Sequence, residues 1–388
     1  MTELLQYRRY ALPFRMPMRT AHGPWRERLG VIVRRQDEDG NVGYGEAAPI
    51  PGFGAENVDE AIAVLASLGN RVDGERLAEI PAALSCLRQA LAAATPVALD
   101  QAEAKKTSPV PDYLPMAALL PAGRAALEQV GPKSDAGFRT FKWKVGVGDP
   151  GDELALLDDL CGALPAGARL RLDANGAWDR RQAERWLERC ADRPIEHVEQ
   201  PVAPEARGAE DLLLGLAGDY PTPLALDESL VNQGDIERWL GAGWPGVYVV
   251  KPLLLAETAP TLAKLAAAQA KVVFSSALET GIGASSALRT AFHWAALMAE
   301  REANKAVTRE GAKESDGAAT SRSPNATGRS RPQPVTAQLQ AQAAVRALGF
   351  GVWPLFADRR FDGPAAAPFV YRDDVERIDP EAIWTALT

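Results

Sequence analysis

Thr140-Phe-Lys-Trp-Lys-Val145, Leu170-Arg-Leu-Asp-Ala-Asn175, Glu196-His-Val-Glu-Gln-Pro201, Leu224-Ala-Leu-Asp-Glu228 and Val247-Tyr-Val-Val-Lys-Pro252 are five short runs, each with a charge near its carboxyl end. From Lys144 to Asp173 is 29 residues, then 26 to Glu199, 28 to Asp227 and 24 to Lys251. Each step has the length of one strand followed by one helix. Amphipathic stretches fill the intervals, at Asp152–Leu164, Arg180–Cys190, Asp211–Ala217, Asp235–Leu240 and Glu257–Gln269. Such alternation predicts a parallel sheet closed as a barrel. Charges at the ends of successive barrel strands predict a reactive site at the mouth.

Outward from that repeat, the chain divides into three. Residues 1–110 carry strand-like runs at Leu29–Arg34 and Val42–Gly45, a turn at Pro49-Ile-Pro-Gly-Phe-Gly54, and Ala/Leu-rich helical stretches from Glu56 to Ala104. That composition predicts an α+β capping domain. Residues 111–350 form the barrel, and 351–388 carry the last barrel strand and return to the cap. The expected class is α/β, a modified (β/α) barrel with an N-terminal α+β capping domain. Residues 302–338 break the pattern, with Ser, Thr, Arg, Pro, Gly and Ala and almost no large apolar side chain. A segment that buries so little cannot offset its ordering entropy, so a disordered surface insertion is expected there.

A formal charge of −8 over 388 residues argues against a nucleic-acid partner. No apolar run is long enough to span a bilayer, and no basic n-region with an apolar h-region opens the sequence. A cytoplasmic address and no membrane partner are the expectations. Cys86, Cys161 and Cys190 lack metal or redox spacing and are expected as buried thiols.

Strand parity turns Lys142 and Lys144 to the barrel interior and Trp143 outward under the helices. Two ammonium groups so placed repel, and each should depress the other's pKa toward that of a usable base. Lysines snorkelling from a solvated strand end are the alternative. Asp173, Glu199 and Asp227 end three consecutive strands, so their carboxylates should converge. One Asp at a strand end would cap the following helix. Three in register repel unless a hard divalent cation neutralises them, and an all-oxygen donor set suits Mg²⁺. Lys251, after the buried run Val247–Val250, implies an anionic partner or substrate. Glu228 is expected on the opposite face or in the loop, and Arg171 as a deeper counter-charge.

These motifs resemble the enolase superfamily in its lysine-lysine, muconate-lactonizing-like subgroup. The wording is similar to the o-succinylbenzoate synthase family at Phe141-Lys-Trp-Lys-Val-Gly146, Leu170-Arg-Leu-Asp-Ala-Asn-Gly-Ala-Trp178, Leu226-Asp-Glu-Ser-Leu230, Val250-Lys-Pro252 and Phe274-Ser-Ser-Ala-Leu-Glu-Thr-Gly-Ile-Gly283, and at Gly45-Glu-Ala-Ala-Pro-Ile-Pro-Gly-Phe53. The resemblance covers residues 3 to 295 and resumes near Val352. It implies Asp173, Glu199 and Asp227 as ligands of Mg²⁺, with Mn²⁺ as a substitute. It further implies Lys144 as the acid/base, Lys142 as its neighbour near the substrate carboxylate, and Lys251 as the lysine of the opposite face. The reaction implied is loss of a proton α to a carboxylate of a small molecule, then loss of water.

Ser275 and Ser276 are candidates for carboxylate contacts through hydroxyl or backbone N–H groups. Arg19 is a further candidate for substrate binding, and its stretch Met18-Arg-Thr-Ala-His-Gly-Pro-Trp25 and the turn Pro51-Gly-Phe-Gly54 are candidates for loops that fold over the mouth, exclude water and contact the substrate. A racemase of the mandelate type would need a histidine in Val272-Val-Phe-Ser-Ser276, which has none. A dipeptide epimerase would be expected to show Asp-x-Asp near the last strand, and Gly349-Phe-Gly-Val-Trp-Pro-Leu-Phe356 lacks it. Dipeptide epimerase and N-acylamino-acid racemase remain the alternatives within the superfamily. A barrel kept only for binding would be marked by a missing ligand residue, and none is missing.

Overall fold

The computed structural model describes residues 2–20, 23–54, 56–96, 111–317 and 345–387, without side chains at 19–20 and 303–317. The N-terminal part is an antiparallel sheet of β1 (Glu3–Thr20), β2 (Gly23–Gln36), β3 (Val42–Ala47) and β4 (Arg71–Val72), in the order β3-β2-β1-β4. Helices α1 (Val58–Leu68), α2 (Gly74–Ala78) and α3 (Ser85–Ala93) belong with it. Alternation along β2 divides its side chains between two cores. Val31 and Val33 join Leu65, Leu87 and Leu91 in the cap core, while Ile32 joins the barrel core with Tyr10, Leu12 and Phe14 of β1. β1 was not anticipated as a strand, because its arginines and prolines hide the alternation of buried Tyr10, Leu12 and Phe14 with exposed neighbours.

β5 (Tyr113–Pro115) leads into the barrel and pairs with β13 (Phe369–Tyr371). The barrel sheet holds β6 (Ala118–Leu120), β7 (Thr140–Lys144), β8 (Arg169–Asp173), β9 (Ile195–Glu199), β10 (Leu224–Leu226), β11 (Val247–Val250) and β12 (Lys271–Phe274), neighbours in chain order. Between them run α4 (Ala125–Asp135), α5 (Pro150–Ala163), α6 (Arg180–Cys190), α7 (Ala209–Asp219), α8 (Gln233–Gly241) and α9 (Thr258–Ala267). Polar caps fix several starts: Asp149 accepts from the N–H groups of Gly151 and Asp152, Asp179 forms a capping box with Gln182, and Asn232 accepts from Gly234 and Asp235. Trp143 is fully buried against Trp186 of α6, outside the sheet as parity requires.

The barrel closes through a backbone splice. Leu348 bridges Met116, and Gly349 bridges Ser275, both in parallel. Gly349 N donates to Phe274 O at 2.7 Å, and Ala117 N to Leu348 O at 2.9 Å. A Cβ on Gly349 would lie 2.7 Å from Ser275 Oγ, so a bare backbone is what fits. The closing residues therefore precede the expected final strand beyond 351. The C-terminal part touches β1 of the cap: Phe14 bridges Phe356, and Arg8 lies over the Trp384 ring of α11 (Pro380–Ala386), 4.4 Å from its centroid.

After β12, α10 runs Gly281–Gly317, so residues 302–317 of the expected disordered insertion are helical. Ala, Glu, Lys and Arg there are good helix formers, and extending a nucleated helix is cheap even without an apolar face. The rest of that insertion, up to residue 338, lies outside the described residues. Among the described residues no helix is long and apolar enough to cross a membrane.

Contact between α3 and β3 rests on Gly45, where a Cβ would stand 1.9 Å from the Ala90 carbonyl oxygen. Backbone cannot yield there as a side chain could, so Gly45→Ala is expected to cost about 1–3 kcal/mol or more. Gly215, exposed within α7, has nothing within 4 Å of such a Cβ. Gly215→Ala should instead gain about 0.5–1 kcal/mol. Urea denaturation of the two variants checks the contrast in sign.

Candidate active site

Register places the charged residues in one rank. Lys144 of β7 lies opposite Asp173 of β8, and Asp173 opposite Glu199 of β9. Asp227 follows the last residue of β10, and Lys251 the last residue of β11. A register shift between β8 and β9 brings Arg171 opposite His197, while Leu170 lies opposite Ile195, leaving Glu196 as the extra residue of a bulge. Simple alternation in the sequence cannot show this.

The Lys142 ammonium lies 2.8 Å from Asp173 Oδ2 and 2.7 Å from Glu199 Oε1. Burial works to lower its pKa, but the carboxylates of Asp173, Glu199 and Asp227 outweigh it and the net shift is upward. The expected mutual depression by Lys144 is therefore overturned for Lys142, because carboxylates and not ammonium are its nearest charges. Burial also works to raise the Glu199 carboxyl, but Lys142 overrides it and holds Glu199 well below the usual carboxylate range. Lys144 is half-buried in the same rank.

Lys251, 8% exposed, forms an ion pair with Asp227. Its ammonium also lies 4.4 Å from the centroid of the Phe53 ring, which comes from the cap. Burial pushes the Asp227 carboxyl up to about 6, with Lys251 opposing and Glu199 reinforcing.

Asn175 and Gln200, which the sequence reading passed over, frame this rank together with Glu228. Asn175 donates from Nδ2 to Glu228 at 2.9 Å. Glu228 lies in the loop after β10, one of the two places expected for it, and from there its carboxylate sits beside the ligand candidates. Burial, then the negative charges of Asp227 and Asp173, push its carboxyl up to about 8. Gln200, fully buried at φ 37, accepts from the N–H groups of Asp227 and Ser229 and donates to Ser229 Oγ and Val202 O, fixing the turn that presents Asp227. A polar residue one or two positions after a charged strand end, as in Glu-Gln-Pro and Asp-Ala-Asn, was the available signal.

Among the described residues no group of three His, Cys, Asp or Glu side chains is gathered as a ready cation cage. The ammonium groups of Lys142 and Lys251 stand against the carboxylates instead. The donor chemistry nevertheless fits a hard divalent cation. Asp173, Glu199 and Asp227 offer oxygen alone, Asp227 and Glu228 resist ionising in mutual company, and Glu228 Oε2 and Asn175 Oδ1 are buried without a hydrogen-bond partner.

Ser275 and Ser276 lie at the end of β12, but their backbone N–H groups donate to Val250 O and Gly349 O. Ser275 Oγ donates to Gly349 O at 3.3 Å, and Ser276 Oγ to Glu279 at 3.0 Å. The N–H route to a substrate carboxylate is thus occupied by barrel closure. Arg19 lies on β1 opposite Pro24, so its stretch is a hairpin of β1 and β2 near its tip; Ala21 and His22 lie outside the described residues.

The loop after β12 is also where cap and barrel are joined. Arg28, fully buried, donates to Pro49 O and Ala48 O within the cap and to Ala277 O and Leu278 O of the barrel. Glu46 of β3 accepts from Thr280 N at 2.9 Å and Gly283 N at 2.9 Å, capping the start of α10 from the other domain.

Beneath the rank, Arg171 is buried and pairs with Glu196 at 2.8 Å, as expected of a counter-charge; Arg346 adds a second contact to Glu196 at 2.7 Å. His197 is fully buried, and burial lowers its pKa, so it is neutral beneath Glu199.

Comparison with known proteins bears on the family and the fold. Residues 125–314 match the family described as enolase C-terminal domain-like. The chain is 43% identical over 282 residues to o-succinylbenzoate synthase of Thermosynechococcus vestitus, covering 71% of this chain and 85% of that protein. It is 30% identical over 259 residues to a hydrophobic dipeptide epimerase of Roseobacter litoralis, covering 60% of this chain and 70% of that one. A crystal structure of o-succinylbenzoate synthase from Thermosynechococcus elongatus, with magnesium in its active site, superposes with a TM-score of 0.69 at 33% identity, covering 99% of each chain.

The Arg171–Glu196 pair has a consequence for stability. Burial raises the Glu196 carboxyl, but Arg171 outweighs it and holds the carboxyl at about 2. A carboxyl whose folded pKa lies below its unfolded value stabilises the protein above the unfolded pKa, and that contribution is lost as pH falls through the folded one. Glu196→Gln should cost about 2–4 kcal/mol near pH 7, since Arg171 stays buried without its charge partner. The gap from the native protein should shrink below about pH 5 and close toward pH 2. Denaturant unfolding across that range measures it.

Proposed function

The chain belongs to the o-succinylbenzoate synthase family of the enolase superfamily, and we propose on that premise that it catalyses the family's syn-dehydration. The substrate is 2-succinyl-6-hydroxy-2,4-cyclohexadiene-1-carboxylate, and the product, 2-succinylbenzoate, serves menaquinone or phylloquinone biosynthesis. The observation that carries the reading is the single rank of Lys144, Asp173 and Glu199 across three adjacent strands, continued by Asp227 and Lys251.

Asp173, Glu199 and Asp227 would hold Mg²⁺, which when bound supplies positive charge where the substrate carboxylate gains electron density. An α-proton of a carboxylate is far too weakly acidic for a free amine, so the charge that builds up must be met by groups already in place. Lys144 takes the proton from the carbon that bears the carboxylate. The electron pair of that C–H bond forms the new ring double bond, and the C–O bond of the 6-hydroxyl breaks. The Lys144 ammonium returns its proton to the departing oxygen on the same face, water leaves, and the ring becomes aromatic. Lys251 faces the reacting carbon skeleton as a fixed cation. Lys142, held between Asp173 and Glu199, orients those two carboxylates and adds positive charge near the substrate carboxylate. Its contacts with both carboxylates suit it for electrostatics there, and the proton transfer falls to Lys144.

The direct test is purified protein with Mg²⁺ and the synthase substrate, followed by absorbance of the aromatic product. Exhaustive EDTA treatment should abolish turnover, and Mg²⁺ or Mn²⁺ should restore it, with circular dichroism unchanged; full activity after chelation would remove the carboxylates from the metal role. Lys144→Ala should lower kcat by at least about 100-fold while the thermal midpoint stays close to native. Lys144→Arg should fail equally, since a guanidinium cannot act as the base near neutrality. A native kcat in either variant would place the base elsewhere.

A further inference from the structure

Lys251 stands where cap and barrel meet, with a different kind of partner on each side. Asp227 holds its ammonium from the barrel. From the cap, the Phe53 ring presents its centroid at 4.4 Å. The loop that brings Phe53 there is closely fitted. Phe53 N donates to Ile50 O at 2.9 Å, closing a turn. Gly54 takes φ +81°, and a Cβ on it would stand 2.4 Å from Val231 Cγ1, just beyond the strand end that carries Asp227. Phe53 also packs on the cap core, which includes Leu254, three residues after Lys251.

An aromatic face attracts an ammonium group through its quadrupole but accepts no directed hydrogen bond of ordinary strength. A carboxylate or carbonyl in its place would compete with an anionic substrate for the N–H donors. A ring holds the charge and leaves its donors for other partners. It also keeps water from that side of the cation, which strengthens every electrostatic interaction left.

We propose that Phe53 is a positioning residue for Lys251, a π-face from the cap that holds the ammonium toward the reacting centre and makes its placement depend on the docked cap. The inference deepens the dehydratase reading, resting on it for the role of Lys251 but not for the contact itself. Phe53→Leu keeps an apolar side chain of similar bulk and removes the π-face, whereas Phe53→Tyr keeps it. With the synthase substrate and saturating Mg²⁺, Phe53→Leu should lower kcat by about 3- to 30-fold with KM changed by less than about 2-fold, and Phe53→Tyr should return most of the loss.

A second measurement does not need turnover. Reductive methylation at fixed pH, followed by peptide mass spectrometry, should modify Lys251 faster in Phe53→Leu than in the native protein or in Phe53→Tyr. Lys264, an exposed lysine paired with Glu237, serves as the internal standard. Native kcat together with native labelling in Phe53→Leu overturns the proposal. So does a rise in KM alone, which would mean that the ring touches substrate instead, or an equal loss in both variants, which would mean that only the shape of the loop matters. Absence of turnover in the native protein would defeat the dehydratase reading, and the labelling contrast would still decide for or against the Phe53–Lys251 contact.

Discussion

Carboxyl groups at the barrel mouth repel one another, and the form of the mouth depends on how that repulsion is answered. Asp173, Glu199, Asp227 and Glu228 come together where water is scarce. Two answers coexist. Lys142 and Lys251 provide direct counter-charge, and where that falls short the carboxyls give up ionisation, as the upward shifts of Asp227 and Glu228 show. A site with this unevenness is prepared to accept further positive charge. Glu228 shows it most, pushed up to about 8 by burial and by the charges of Asp227 and Asp173.

Much of this site was legible because a parallel barrel converts sequence position into depth. A charge closing an apolar run can only be at the mouth, so Lys144, Asp173, Glu199, Asp227 and Lys251 could be placed together from spacing alone. The helices were legible from the amphipathic stretches between those charges. Their starts in the structure carry Asp149, Asp179 and Asn232, caps that the reading had not used, whose side chains satisfy N–H groups that would otherwise lack partners.

What escaped the sequence depends on distant or irregular backbone. The bulge at Glu196 changes which residues of β9 face Arg171, and nothing in the local composition announces it. Gln200 and Glu228 look like ordinary loop residues until the next strand is laid beside them. The closing pair Leu348–Gly349 is too short to carry a periodic signal and is defined only by its neighbours, Met116 and Ser275. The opposite error occurred at residues 302–317, where the lack of an apolar face suggested disorder although the helix is already established upstream.

The seam between the domains bears on how this protein can vary over generations. Arg28 sends donors to carbonyls on both sides of it, and Glu46 supplies the missing acceptor at the first turn of a barrel helix. Each domain is thus chemically unfinished by itself: a barrel without its cap would leave Thr280 N and Gly283 N without Glu46, and a cap without its barrel would leave Arg28 without its acceptors Ala277 O and Leu278 O. Exchange of either half with that of a relative would succeed only when both sides of the seam travel together. The unit of inheritance in such a molecule is the pair, with the ties at Arg28 and Glu46 holding the two halves to one another.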